Sequence, residues 1–294
     1  KDRFVTSPNT FIATAGAAMK CGIKPQFVDI DLGSGNMDIE LLKPILDAPL
    51  SRGRLIIAPV HFAGIAVDMK RLDRMIKSPN TVVIEDAAHA IGSKYPSGEM
   101  VGSCSYSQMT IFSFHPAKTI TSGEGGMVTT NDDALYRRLL LYRNNGLDRS
   151  AGILGFYDVT AITGNFHMTE MQAALGLSQL MRLHTIVETR RALVAAFRRE
   201  LASKPHIKLF DEKYDANSAY HLMVAQIDFE ALNTTNEAYM KKLHEKGIGT
   251  DRHYIPLYRH SVLKKDYPDV PFSFPKMAQY ESQALTLPLY YDLS

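Results

Sequence analysis

Lys118 sits in FSFHPAKTITSGEGGMVTTND, residues 112–132, where one short polar loop separates two apolar runs. Ser113, Thr119, Thr121 and Ser122 surround it with hydroxyls, and Gly123, Gly125 and Gly126 allow close approach of another surface. A lysine held out of water in such a loop loses proton affinity, which frees its amine to attack a carbonyl. A loop lysine alone is more often simply solvated, so its meaning depends on what else reaches the same place. VVIEDAAHA ends an apolar run in Glu85 and Asp86, with His89 shortly after. Open α/β sheets bind ligands at the carboxyl ends of their strands, and this run delivers Asp86 to that edge. An isolated acidic pair there serves equally well as a solvated strand end or a helix cap, and His89 alone reads as a packing histidine.

Taken together, a carboxylate at one strand end and a lysine at another match the demands of pyridoxal phosphate. The lysine forms a Schiff base with the cofactor, and the carboxylate pairs with the pyridinium nitrogen so that the ring remains an electron sink. The SGEGG turn has neither the GxGxxG nor the GxxxxGK[ST] spacing, so it is read as shaping the lysine's approach and not as a phosphate loop.

The elements that must position these groups follow from hydrophobic pattern. RFVTS, PQFVDID, RLIIAPV and TVVIED are short apolar runs, and helical patterns alternate with them in TFIATAGAAMKCG, MDIELLKPIL and DMKRLDRMI. Continuous apolar strands alternating with helices predict a doubly wound α/β fold with a mostly parallel sheet. YSQMTIFSF and GMVTT, the strands flanking Lys118, are expected in that same sheet, and a helix follows from about Asn131 or Asp132 to Arg143. Thr169 and Gln172 form a capping box. From there Leu180, Leu183, Val187, Val194, Phe197 and Leu201 predict one long helix running to about Leu201. HIKLF, YHLMVAQIDF, the helix NEAYMKKLHEKG closed at Gly247, and IGTDRHYIPLY predict a smaller α+β unit. The expected division is a large cofactor-binding domain over 1–204 and a small C-terminal domain over 205–294.

The chain has 294 residues, 33 Lys and Arg against 31 Asp and Glu, and 45% hydrophobic residues. That is long enough for a large core and too evenly charged for a nucleic-acid stripe. Cys21 and Cys104 form neither CxxC nor a zinc spacing, so no metal site is expected and a reducing, cytoplasmic setting is. No apolar run approaches a membrane span. The opening KDRFVTSP reads as the middle of a domain, so the chain is expected to be a fragment.

TFIATAGAA (10–18), EDAAHAIG (85–92), FSFHPAKTITSGEGGMVTTND (112–132), GNFHMTEMQAALGLSQL (164–180) and RHYIPLY (252–258) occur in the order seen in the DegT/StrS family of nucleotide-sugar aminotransferases, of the pyridoxal phosphate fold type I. The chain resembles that family over nearly its whole length, and within it the branch that aminates UDP-4-keto-6-deoxy-N-acetylhexosamines, as in pseudaminic acid synthesis. The resemblance implies a large domain with a seven-stranded type of sheet plus a smaller α+β domain. It implies an amino group moved from L-glutamate through pyridoxal phosphate to a 4-keto sugar, for surface polysaccharide or flagellin glycan precursors. Lys118 would be the cofactor-linked lysine and proton shuttle. Asp86 would bind the pyridinium nitrogen, His89 would sit near the ring and its phenolic oxygen, Ser113 would bind the phosphate and Phe11 would lie against the ring. Asn165 would reach the cofactor phosphate of a neighbouring subunit in a homodimer, and His253 and Tyr254 would help line the sugar-nucleotide site.

Where the family usually has Asn-aromatic-Arg, this chain has Asn165-Phe166-His167, an imidazole in place of a permanent guanidinium. Relatives also carry an earlier Gly-Thr/Ser-Ala segment at a helix N-terminus that binds phosphate, and a final helix; neither is in this sequence. Two other functions compete with the aminotransferase reading. Related sugar dehydratases replace the lysine by histidine, which Lys118 argues against, and a regulatory module or inactive fragment would bind without turnover.

Overall fold

The computed structural model describes all residues except 51, 150, 151, 153, 268–272 and 294. Six strands form the main sheet: β1 (Arg3–Thr6), β2 (Pro25–Phe27), β3 (Leu55–Ala58), β4 (Thr81–Asp86), β5 (Met109–Ser113) and β6 (Gly126–Thr129), in the spatial order β2-β1-β3-β4-β5-β6. All neighbours are parallel except β5 and β6, which pair antiparallel with Ser113 opposite Gly126. The doubly wound expectation therefore holds, and the two strands around Lys118 do share the sheet. Among the described residues the sheet has six strands where the resemblance implied a seven-stranded type.

Helices α1 (Ile12–Lys20), α2 (Lys43–Asp47) and α3 (Met69–Met75) connect the parallel strands. Asp68 caps α3 by accepting from the Arg71 N–H, and the stretch before α2 opens as a 3-10 turn over Ile39–Leu42 instead of one continuous helix. Pro44 accounts for that division. It belongs in the first turn of an α-helix, where its missing N–H costs nothing. Val5, Ile57 and Val83 from the sheet pack with Leu42, Met69 and Leu72 in the first core cluster, and each contributes roughly 1.5–3 kcal/mol on burial.

Beyond the sheet, α4 (Asp133–Arg143) is capped by Asp132, and a small antiparallel pair joins β7 (Leu147–Asp148) to β8 (Asp158–Val159). Helix α5 (Glu170–Met181) starts at the expected capping box. It ends at Arg182, whose φ −96° and ψ −2° begin a separate α6 (Leu183–Leu201), so the single long helix is in fact two. The break divides the apolar stripe. Ile186, Val187 and Val194 turn inward, whereas Leu180 faces outward and none of α5 is buried. A second sheet, order β11-β10-β9, is wholly antiparallel: β9 (Ile207–Leu209), β10 (Met223–Ile227) and β11 (Ala284–Leu287), with α7 (Asn236–Glu245), α8 (Ser261–Lys264) and α9 (Pro275–Gln283) around it. Phe27, Ile30 and Phe62 of the first part share one cluster with Phe210, Leu222 and Tyr280 of the second. That shared core brings the segments before β10 and β11 to the carboxyl edge of the main sheet.

Candidate active site

Strand alternation sends Glu85 and Asp86 to opposite faces. Glu85 is fully buried. His61 Nε2 lies 2.7 Å from it, Tyr95 donates at 2.7 Å and Thr110 at 2.9 Å, and Ser107 donates as well. Burial alone would raise the Glu85 carboxyl, but His61, Ser107 and Tyr95 outweigh it and hold the group below its ordinary value. This network fixes the end of β4 against β5.

Asp86 turns toward the open edge. Its Oδ1 accepts the Ala88 N–H at 3.1 Å, and its Oδ2 accepts the Thr14 hydroxyl at 2.6 Å. Because Thr14 donates to the carboxylate, the Thr10 hydroxyl 2.9 Å away donates to Thr14. The carboxylate is thus oriented by the first turn of α1, and α1 also carries Phe11 at its N-cap, 59% exposed and open to a ligand.

The loop after β5 folds on itself. Phe114 O accepts from Ser122 N at 3.0 Å and from the Thr121 hydroxyl at 2.9 Å, while Phe114 N donates to Gly125 O at 2.9 Å. Gly125 has φ +152°, and a Cβ there would lie 2.6 Å from Ser122 Oγ and from Met168 Cε, so only glycine closes this turn. Lys118 N donates to His115 O, and Lys118 itself is half-buried. Burial lowers its proton affinity, and the Asp86 carboxylate opposes that. Ser113, the last residue of β5, lies at the base of the loop, its Oγ accepting from His115 N at 3.4 Å.

His89 is buried just beyond Asp86. Its Nδ1 accepts the Ala63 N–H at 3.3 Å, and its Nε2 lies 3.0 Å from the Tyr254 hydroxyl. The rings of His89 and His221 are 4.4 Å apart between centroids. Burial first, and then the positive charges around them, hold both imidazoles well below the usual histidine range: His221, Lys118 and His253 act on His89, and Lys118, Arg190 and His253 act on His221. His221 arrives because Gly64 lets the chain pass: a Cβ on Gly64, at φ +94°, would meet Tyr220 N at 2.8 Å and His221 N at 3.0 Å. Ser93 ties the same corner, donating to Gly64 O and accepting from Ala219 N. Arg190 donates to the carbonyls of Tyr220, at 3.0 Å, and Leu289, at 2.9 Å, from a buried position.

His253 and Tyr254 come from the stretch after α7. Tyr254 N donates to Asn9 Oδ1 at 3.3 Å, and His253 Nδ1 lies 3.0 Å from the Thr286 hydroxyl. The Tyr254 ring stands 6.2 Å from Phe11 and 5.9 Å from His89. Six of the expected residues therefore lie around one edge of the sheet: Asp86, His89, Ser113, Lys118, Tyr254 and Phe11, with His253 adjoining. Asn165 stands apart, exposed and bridged to Asn144, its Oδ1 accepting from His167 N at 3.1 Å. His167 Nε2 in turn meets Asn144 Oδ1 at 3.1 Å. Thr10, Thr14 and His221 escape the sequence reading. Thr10 precedes the N-cap of α1 and Thr14 lies in its first turn, so their meeting is set by the way the chain enters the helix; a lone histidine before β10 carries no signal.

The donor set suits a flat, anionic, carbonyl-bearing ring: one oriented carboxylate, one amine of lowered proton affinity, one open aromatic face and neutral imidazoles. These are groups that pyridoxal phosphate requires. Among the described residues no cluster of His, Cys, Asp or Glu could hold a metal, and no helix is long and apolar enough to cross a membrane.

A profile of the DegT/DnrJ/EryC1/StrS aminotransferase family matches residues 1–294. A UDP-4-amino-4,6-dideoxy-N-acetyl-beta-L-altrosamine transaminase of Campylobacter jejuni is 34% identical over 269 residues, which is 90% of this chain and 69% of that protein. Among solved structures, Helicobacter pylori PseC, an aminotransferase involved in the biosynthesis of pseudoaminic acid, superposes with a TM-score of 0.89 at 26% identity, covering 99% of this chain and 75% of that one. The PLP form of Spr1654, a putative sugar aminotransferase from Streptococcus pneumoniae, gives 0.85 at 27% identity, covering 100% and 77%.

Proposed function

The chain belongs to the DegT/DnrJ/EryC1/StrS aminotransferase family, and we propose that it moves an amino group from L-glutamate to the 4-keto group of a nucleotide-linked 4-keto-6-deoxy sugar, of the UDP-N-acetylhexosamine type. The observation that carries this reading is Lys118, a half-buried amine of lowered proton affinity beside Asp86 at the carboxyl edge of the sheet. The named activities of the Campylobacter and Helicobacter relatives support the substrate class.

Bound pyridoxal phosphate supplies the electron sink for charge developing on the carbon beside the amine nitrogen. Asp86 holds the ring nitrogen in its protonated form, with Thr14 and the Ala88 N–H keeping the carboxylate aimed. Phe11 covers a ring face and Ser113 takes part in phosphate binding. Lys118 Nζ removes the proton from the carbon that carries the amine and delivers it again, and its lowered proton affinity leaves the amine readier to act as the base. His253 and Tyr254 line the sugar-nucleotide side. Asn165 reaches the phosphate site of a second copy, so the active form is a homodimer. The exposed apolar side chains Met171, Leu175, Leu177 and Met181 of α5 support such pairing. Residues 1–204 act as the cofactor domain and 205–294 as the smaller one, in the cytoplasm, where the two free cysteines remain reduced.

The test is Lys118→Arg in protein reconstituted with pyridoxal phosphate, assayed with glutamate against UDP-, GDP- and dTDP-linked keto sugars with mass detection. Wild-type turnover with a UDP-linked 4-keto sugar and at least a thousandfold loss in the variant, on the order of 4 kcal/mol, is expected. Normal turnover by Lys118→Arg overturns the reading.

A further inference from the structure

His89 and Tyr254 both stand at the edge that carries Asp86, and their hydrogen bonds decide which of them has a proton free to donate to a ligand there. The Ala63 N–H points at His89 Nδ1, which must therefore carry a lone pair, so the only N–H of the neutral ring is at Nε2. That N–H is already committed, because Nε2 faces the Tyr254 hydroxyl at 3.0 Å. A doubly protonated ring is disfavoured by burial and by Lys118, His221 and His253 around it. Tyr254 therefore accepts from His89, and its own proton is left to be donated elsewhere. Among the described residues nothing accepts that proton. The titratable groups facing the tyrosine are His89 and Asp86 from the β4 end, its neighbour His253, Asp251, and Tyr280 from α9. Burial, with Asp86 and Asp251 adding to it, raises the phenol and keeps it protonated. Its ring also stands beside Phe11, the residue proposed to cover the cofactor.

We propose that Tyr254, oriented by His89 and the Ala63 backbone, is the hydrogen-bond donor to the phenolic oxygen of the cofactor, and that His89 acts through Tyr254 as a positioning residue. This rests on Lys118 and Asp86 holding pyridoxal phosphate as proposed above. It reassigns the contact that the family resemblance gives to His89. It also makes the bond between β4 and the segment after α7 a link between the cofactor and the wall of the sugar site.

A spectroscopic titration tests it without turnover. Protein reconstituted with pyridoxal phosphate is titrated through the pH at which the visible band of its lysine linkage appears and fades. A donor on the phenolic oxygen withdraws negative charge from beside the linkage nitrogen and so favours loss of the nitrogen's proton. Tyr254→Phe removes that donor and is expected to raise the transition by about one pH unit, a tenfold change equal to about 1.4 kcal/mol. His89→Gln, which can still donate to Tyr254, stays near the wild-type value. Site-specific 3-fluorotyrosine at 254, a stronger donor of nearly the same shape, lowers the transition and decides the matter if Tyr254→Phe does not fold. An unmoved transition in Tyr254→Phe, or in the fluorinated protein, overturns the inference whatever His89→Gln does, and a shift in His89→Gln as well returns the contact to His89. A wild-type protein with no borohydride-reducible visible band overturns the cofactor reading itself, which is a separate outcome.

Discussion

Thr14→Val removes one oxygen from a side chain whose shape and β-branching otherwise stay the same, so it isolates the bond that aims Asp86. The Thr14 hydroxyl donates to Asp86 Oδ2 at 2.6 Å in a half-buried setting. Hydrogen bonds to charged groups contribute about 1.5–3 kcal/mol, and the short distance belongs to the charge-assisted class. Asp86 keeps its other tie, the Ala88 N–H at 3.1 Å, and keeps some solvent, which puts the loss at the lower end. Thr10, buried and bonded to Thr14 at 2.9 Å, also loses its acceptor. The expected destabilisation is about 2 kcal/mol, read as a fall of roughly 4–8 °C in the thermal midpoint. A carboxylate no longer held toward the ligand edge binds pyridoxal phosphate about tenfold more weakly, equivalent to about 1.4 kcal/mol. Circular dichroism melting measures the first quantity and cofactor titration by absorbance the second. Thr14→Ser keeps the hydroxyl and restores the affinity. If Thr14→Val melts within about 1 °C of wild type and binds the cofactor equally well, the threonine pair does not orient Asp86 and the argument from this hydrogen bond fails.

Two other measurements probe the buried groups. His89 and His221 are neutral in the fold and held well below the usual histidine range, whereas in the unfolded chain they titrate near 6.5. The unfolded state therefore binds more protons in the window below about pH 6.5, and stability falls as pH drops through it. Once the unfolded histidines are fully charged the slope approaches about 1.4 kcal/mol per pH unit for each residue, up to about 3 for the pair. Urea unfolding at pH 7 and pH 5 checks this, and a flat profile would sink it. Glu85→Gln removes the charge at the centre of the His61, Tyr95, Ser107 and Thr110 network and should cost about 1.5–3 kcal/mol at pH 7. Because the Glu85 carboxyl is held below its ordinary value, that difference is present above about pH 4.3 and shrinks as pH falls through the folded value. A constant difference across pH 3 to 7 would mean packing and not charge carries it.

The main sheet was legible because its first four strands are apolar and largely buried, so VVIED and LIIA read as strands without knowing their neighbours. The places of Asp86 and Lys118 were legible for the same reason: Asp86 ends one strand, and Lys118 lies in the short loop between two others. The helix break at Arg182 was not, since LMRLH contains neither Gly nor Pro and the stripe reads continuously across it. Its cause is tertiary: Leu183 and Val187 pack over Gly92, while the α5 side chains find no core to face. His221 was invisible for a related reason. It reaches His89 only because Ser93 and Gly64 accept the chain at 219–221 from the far end of the sequence.

These distant ties bear on what the site is made to do. Asp86 ends β4 and Lys118 stands in the loop that follows the neighbouring strand β5, a loop closed on Phe114 by Thr121, Ser122 and Gly125. Tyr254 and His253 come from the segment after α7, held by Asn9 and Thr286, and Tyr254 closes on the sheet edge through its bond to His89. The pair proposed to hold the cofactor is thus positioned by the main sheet and its loop, while the groups proposed to face the sugar depend on how the second sheet docks through the Phe62, Phe210 and Tyr280 cluster. A substitution in that cluster should therefore change sugar selectivity and the Tyr254 contact before it changes the lysine and the carboxylate.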